Sequence, residues 1–257
     1  TLRDDRDRNG HDIVETFRQL GVLICKFGFD RRHEAIRQAA EFLFGCQSDE
    51  GDFRGVYGTQ YATTYSPMIG ELLIKAGYAD DPRVIRSMEW LFTMRQGDGG
   101  WAVPLRTLPV RYVDVVYAPE PLQPDRSKPF SHLATGCAMR ALAAHPAYRH
   151  LPDTLAAARL LLSRLWKRDR YPDRGAPSYW TEFSYPYWFT DMLNALDALL
   201  KIGMTANEPE IARPIRWFVD RQSPDGTWDT LKLLRGKDKQ LPMWITLQIS
   251  RVLLGTA

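Results

Sequence analysis

Met88-Glu89-Trp90-Leu91-Phe92-Thr93-Met94-Arg95-Gln96-Gly97-Asp98-Gly99-Gly100-Trp101 is the middle of three related stretches. The first is Ala40-Glu41-Phe42-Leu43-Phe44-Gly45-Cys46-Gln47-Ser48-Asp49-Glu50-Gly51-Asp52-Phe53, and the third is Ile215-Arg216-Trp217-Phe218-Val219-Asp220-Arg221-Gln222-Ser223-Pro224-Asp225-Gly226-Thr227-Trp228. In each, an aromatic and aliphatic helical face ends in Gln, followed by an acidic residue and Gly, one further residue, and Phe or Trp. Self-similarity at this spacing is the signature of a repeat architecture.

Working outward, each copy is preceded by a helix with a polar face, as in Arg31, Arg32, Glu34, Arg37, Gln38 and Glu41. After the copies, and after each long connection, come patterns that are apolar nearly all round: Thr63 to Gly77, Ser131 to His145, Tyr187 to Gly203 and Trp244 to Leu254. A helix apolar on every side is buried on every side. Inner and outer helices therefore alternate, and an N-terminal helix over about His11 to Phe27 makes five inner and four outer members. Gly77 and Gly203 stop inner helices, and Asp80-Asp81-Pro82 starts an outer one with an acidic cap and a first-turn proline. Two connections break the rhythm. Residues 103–130 contain six prolines and the aromatics Tyr112 and Tyr117, and residues 168–184 replace the expected Gln-Asp-Gly-Trp loop with Tyr171, Tyr179, Trp180 and Phe183. Ordered loops of this length inside a compact domain are usually functional. Both precede inner-helix starts, which places them at one end of the molecule.

The Gln…Gly-x-Trp element at helix-pair spacing resembles the QW repeat of squalene and oxidosqualene cyclases and the related repeats of protein prenyltransferase β subunits. The resemblance runs from about Arg31 to Leu254, with three motifs and one degenerate copy. It implies an all-α fold, an α/α toroid with inner helices around a central cavity. A full toroid of that family has six helix pairs, so five inner helices imply an incomplete ring, unless residues 103–129 complete it. The motif residues Gln47, Gln96 and Gln222 with Phe53, Trp101 and Trp228 read as staples: the amide donates to one helix end and accepts from the next helix start, covered by the ring.

The family chemistry does not carry over with the fold. Squalene cyclases and class II diterpene cyclases protonate their substrate with a DxDD acid at an inner-helix start, and the nearest match here, Ser131-His132-Leu133-Ala134-Thr135, has no carboxylate. Alkene protonation needs a stronger acid than Ser or a lone His supplies. Asp4-Asp5-Arg6-Asp7 reads as a solvated tail rather than a diphosphate motif. Prenyltransferases hold zinc with an Asp-x-Cys pair and a distant His, whereas His132 and Cys137 point about 140° apart on one helix. No metal and no cofactor are expected.

Composition bounds the rest. The 257 residues are 44% hydrophobic with a net charge of +3, which supports one domain over 1–257, with 1–10 as a flexible tail, and gives no electrostatic case for nucleic acid. No apolar run approaches the roughly 20 residues of a membrane span. Cys25, Cys46 and Cys137 show no paired spacing, which fits reduced thiols and a cytoplasmic location.

The candidate site consists of residues at inner-helix starts and in the two long connections. His132 and Asp191 are the candidate acid or base. Tyr61, Arg106, Trp180, Glu182, Tyr187, Trp188 and Trp244 are candidate ligand contacts. Tyr61, Thr64, Met68, Glu71 and Lys75 share one helical stripe, in which Glu71 and Lys75 also make an ordinary i,i+4 pair. Three readings stay open. The first is a terpenoid cyclase-like or prenyltransferase-like protein binding an apolar, isoprenoid-type ligand, acting as a lyase, isomerase or transferase if it acts at all. The second is a carbohydrate-active toroid using Asp191, Glu182 or His132, and the third is a non-catalytic scaffold for a protein partner.

Overall fold

The computed structural model describes residues 5–234 and 238–255. The acidic run that begins at Asp4 therefore starts outside the described residues. Helix α1 spans Asp5–Phe27, α2 Glu34–Gly45 and α3 Tyr65–Leu73, the last continuing through a π-helical turn over Ile74–Tyr78. Then follow α4 at Pro82–Thr93, two short helices, α5 at Pro104–Thr107 and α6 at Tyr112–Val115, α7 at His132–Ala144 and α8 at Pro152–Leu162. The chain ends with α9 at Met192–Ile202, α10 at Pro209–Val219 and α11 at Leu241–Leu254. Two two-residue strands, β1 (Glu182–Phe183) and β2 (Lys232–Leu233), pair in parallel. The backbone of α1 is helical through residues that the charge pattern reads as a tail.

Burial separates two helix types as the apolar pattern requires at α3, α7 and α9, but not at α11, which as the last helix of the ring buries only Leu241, Ile245, Gln248, Ile249 and Val252 and leaves Met243 and Leu247 exposed. Every residue of α3 and all of α7 from His132 to Ala143 are buried, while α2 buries Ile36, Ala40, Leu43 and Phe44 on one stripe. Helices α1, α3, α7, α9 and α11 pack in that order, with α2 against α1, α4 against α3, α8 against α7 and α9, and α10 against α9. The result is an all-α toroid with five inner and four outer helices among the described residues. Near the seam between its first and last helices, Lys26 binds Asp238 at 2.7 Å and lies 5.5 Å from the Trp244 ring. The 103–130 connection does not fill this seam. It lies over the 57–61 loop, where Thr59 Oγ1 donates to the Ala118 carbonyl at 2.7 Å and Gln60 Nε2 to the Val115 carbonyl at 2.7 Å.

Local chemistry sets the helix ends. Asp81 accepts from the Arg83 amide at 2.9 Å with Pro82 in the first turn of α4, and Gly203 ends α9 at φ 113°, a left-handed conformation open to glycine. Gly136 lets α7 approach the segment before α9, since a Cβ there would collide with the Thr190 side chain, whose hydroxyl donates to the Leu133 carbonyl at 2.7 Å.

The motif aromatics tie each layer to the next in a way the spacing alone does not give. The Trp101 indole donates to the Leu91 carbonyl of α4 at 2.6 Å, and its backbone N–H donates to Thr135 Oγ1 of α7 at 2.9 Å. Trp228 repeats this with the Phe218 carbonyl of α10 at 2.7 Å and Thr246 Oγ1 of α11 at 3.2 Å. Phe53, without an indole N–H, keeps the second half, donating its backbone N–H to Ser66 Oγ of α3 at 3.1 Å. The glutamines only donate to carbonyls: Gln47 to Arg83 and Gly51, Gln96 to Asp125 and Lys128, Gln222 to Gly226. The expected acceptance from a helix N–H is not made; the link to the next inner helix runs instead from the backbone N–H of the motif aromatic to a Ser or Thr hydroxyl. Gln96 Oε1 is buried without a partner.

Trp228→Ala should destabilise the protein by about 3–5 kcal/mol, the range for large buried aromatics. Thr135→Val leaves the buried Trp101 N–H unpaired and should cost about 1–3 kcal/mol. Urea unfolding measures both, and a Thr135→Val protein as stable as the parent would remove the hydroxyl from the account.

Candidate functional site

The N-terminal ends of α3 and α7 and the segment before α9 open on one side of the toroid, and both long connections fold over that side. Arg106 on α5 joins the two connections, its Nε 2.7 Å from Asp173 Oδ2 and its Nη2 2.6 Å from Oδ1. Below this pair lies a cleft of about 580 Å³. Val56, Val103, Leu105, Val110 and Leu133 form its aliphatic walls, and Tyr57, Tyr112 and Phe189 its aromatic ones. Its polar lining is Thr64, Arg106, Asp173 and Arg174. The Arg174 guanidinium sits 5.8 Å from the Phe189 ring and 5.0 Å from that of Tyr179.

Tyr65 packs behind the aromatic wall of the cleft. Its ring lies 5.7 Å from Tyr57, 5.8 Å from Phe189, 6.0 Å from Trp188 and 6.1 Å from Phe17, edge-on to each. Edge-to-face packing at these separations is favourable beyond the area it buries. On the far side is a second cavity of about 190 Å³ between α1, α3, α7 and residues 184–188, lined by Phe17, Leu72, Tyr185, Tyr187 and Trp188 together with Glu71, Lys75 and Arg140. The Glu71–Lys75 pair is thus not a surface pair. Burial works to raise the Glu71 carboxyl, but Arg140 and Lys75 outweigh it and hold it at about 2.

The residues singled out from sequence are distributed over several environments. Arg106 lines the outer cleft, and Tyr187 and Trp188 line the inner cavity. His132 lines neither. It stacks on Tyr179 and Trp180 at centroid distances of 5.6 and 5.0 Å, and its Nε2 is buried without a hydrogen-bond partner, 3.7 Å from Asp169. Burial lowers its pKa to about 4 despite Asp169, so the ring is neutral at pH 7. Asp169 itself is committed to the start of α7, accepting from Ser131 Oγ at 2.8 Å and the Leu133 amide at 3.0 Å.

Asp191 caps α9 in a reciprocal box with Asn194, its Oδ1 accepting from the Asn194 amide at 2.9 Å. Trp180 is fully buried and donates to the Lys167 carbonyl at 2.9 Å, the role of a motif tryptophan reached by a different loop. Tyr61 donates to Glu50 at 2.7 Å beside Trp90, Glu182 accepts from Lys232 at 2.6 Å, and Trp244 stacks on Tyr185 at 6.0 Å. The structure does not bring His132, Asp191, Tyr187 and Trp188 onto one cavity. Among the described residues no cluster of three or more His, Cys, Asp or Glu side chains could hold a metal ion, and no helix is long and apolar enough to cross a membrane.

Sequence reasoning missed Tyr57, Leu133, Phe189 and Arg174 of the cleft, and Arg140 of the inner cavity. Arg140 carried a signal, since a lone cation in the otherwise apolar Ser131 to His145 helix must find a buried partner.

The fold is an α/α toroid whose layers are joined by repeated Gln…Gly-x-aromatic motifs. Residues 7–108 match the squalene-hopene cyclase C-terminal domain family. The structure is similar to the type II terpene cyclase MstE from Scytonema in its apo form, at a TM-score of 0.56 and 18% identity over 95% of this chain and 63% of that one. It is equally similar, with the same identity and coverage, to a variant of that cyclase holding its product, merosterolic acid A (TM-score 0.56). A further variant, solved with its substrate geranylgeranyl dihydroxybenzoate, matches at 0.55 with 18% identity, covering 95% of this chain and 62% of that one. The chain thus spans under two thirds of the length of these structures. No curated protein matches it.

Asp191 gives a pH test. Burial lifts its carboxyl to about 7, opposed by its backbone hydrogen bonds and Arg140. A folded-state pKa above the unfolded value of about 3.9 means a contribution fully present below about pH 4 and lost as pH rises through 7. Asp191→Asn keeps a cap acceptor and should flatten thermal stability across that interval, while Asp191→Ala should cost about 0.5–2 kcal/mol as a lost cap. Melting curves from pH 4 to 8 check both.

Proposed function

We propose that this protein binds an apolar, isoprenoid-type molecule in the cleft between α3, α7 and the two long connections. The observation that carries the reading is the composition of the wall, five aliphatic side chains and three aromatic rings with polar groups gathered on Thr64 and the Arg106, Asp173 and Arg174 set. Its volume falls within the about 300–1,000 Å³ of ordinary small-molecule sites. A variant of MstE, which has the same fold, holds a geranylgeranyl compound, and this supports the same ligand class here.

The reading is ligand binding without alkene protonation. Asp173 is the carboxylate on the cleft wall, and both its oxygens are bound to Arg106. At the α7 start, where the resemblance would place an acid, Ser131 donates to a buried Asp169 that holds the helix end. Neither group is available as a strong proton donor to a molecule in the cleft. A single carboxylate, already paired, also offers no facing acid and base for glycoside chemistry.

Geranylgeraniol should quench tryptophan and tyrosine fluorescence of the parent saturably. Phe189→Ala removes an aromatic wall worth roughly 1.5–3 kcal/mol of burial, so affinity should fall about 10–100-fold with the circular dichroism spectrum retained. Squalene incubated with the protein should be recovered unchanged by gas chromatography. Absence of saturable binding by folded parent protein ends the reading, and cyclised squalene would overturn its non-protonating part.

A further inference from the structure

The inner cavity, lined by Phe17 and Trp188 on the other side of Tyr65 from Tyr57 and Phe189 of the cleft, carries a charge imbalance. Two cations share one carboxylate there: Lys75 Nζ is 2.5 Å from Glu71 Oε1, and Arg140 Nη2 is 2.6 Å from Oε2. Of the other charged groups around it, Arg149 lies beyond the trio with its Nε buried and without a hydrogen-bond partner, and the rest are matched. Lys26 has Asp238 at 2.7 Å, Arg18 has Glu15 at 3.2 Å, and Lys201, beyond the trio, has Asp197 at 2.6 Å. Asp191, the next carboxyl toward Arg140, is committed to the α9 cap.

One positive charge is therefore left over in a trio of which Glu71 and Arg140 are 2% and 5% exposed, while the Lys75 side chain, at 28%, reaches the mouth of the cavity. Arg140 Nη1 donates to the Trp188 carbonyl at 2.6 Å, but Nε is buried with no hydrogen-bond acceptor. Lys75 has three donors, and its hydrogen bond to Glu71 uses one. Burying surplus charge and unpaired donors costs free energy unless an acceptor of opposite charge joins them.

We propose that this cavity is an oxyanion site, taking the phosphate or carboxylate of a small organic acid on Lys75 and Arg140, with the acid's apolar part against Tyr185, Tyr187 and Trp188. At about 190 Å³ the space is below that of a drug-sized site, which limits the ligand to a small molecule. The oxyanion supplies the missing charge and accepts from donors that otherwise go unpaired. Glu71 competes with it for the same two cations. The site is separate from the apolar cleft and does not depend on the isoprenoid reading.

The test is calorimetry and thermal unfolding with phenyl phosphate and inorganic phosphate, against chloride at matched ionic strength. Both phosphates should bind and raise the melting temperature, phenyl phosphate more tightly because its ring meets the aromatic wall. Equal affinity of the two would assign the site to free phosphate, with the same donors. Lys75→Met should weaken binding about 10–100-fold, the loss of one charge-assisted hydrogen bond. Glu71→Gln should tighten it, an outcome that a purely structural ion trio would not produce. Phe189→Ala should leave it unchanged. If neither phosphate stabilises the parent or Glu71→Gln beyond chloride while both are folded, or if Lys75→Met binds as the parent does, the proposal fails.

Discussion

The toroid depends on tryptophans that are hydrogen-bonded in two directions. Trp101 and Trp228 each send the indole N–H outward to a carbonyl of the outer helix just completed, and the backbone N–H inward to a hydroxyl of the inner helix about to begin, Thr135 in the first turn of α7 and Thr246 in the second turn of α11. Both rings are buried, so each bond forms where water cannot replace it. A helix pair is thereby fixed in height and rotation relative to the next. The inner helices can then be apolar all round without sliding over one another.

This device explains how much of the fold could be read from the chain. The Gln, Gly and Trp positions and the switch between amphipathic and wholly apolar helices are local, and they gave the alternation of layers. Partners distant in sequence did not show. Nothing about Ser66, Thr135 or Thr246 distinguishes them in the sequence from other small polar residues at helix starts, and their role is visible only when the preceding aromatic lies against them. Trp180 shows the converse. Its loop has lost the motif spacing, yet its indole reaches the Lys167 carbonyl, so a residue that looked free to meet a ligand is part of the frame.

The site was harder to read for a related physical reason. Tyr57, Leu133 and Phe189 are the residue types that fill cores, and whether they fill one or line a cleft depends on how two remote connections are held. That depends on Arg106 meeting Asp173 and on Gln60 gripping the 103–130 connection, contacts made across more than fifty residues of chain. Charge was more legible than shape. Arg140 stands alone in an apolar helix and Glu71 lies on a helix buried on every side, so their meeting follows from the cost of leaving either unpaired, with Lys75 reaching Glu71 from the partly exposed turn that follows.

Tyr65, wedged among Phe17, Tyr57, Trp188 and Phe189, divides the hollow of the ring into two compartments. One opens beneath the long connections and the other between α1 and residues 184–188. The two openings are separate, so filling one compartment would not block the way into the other.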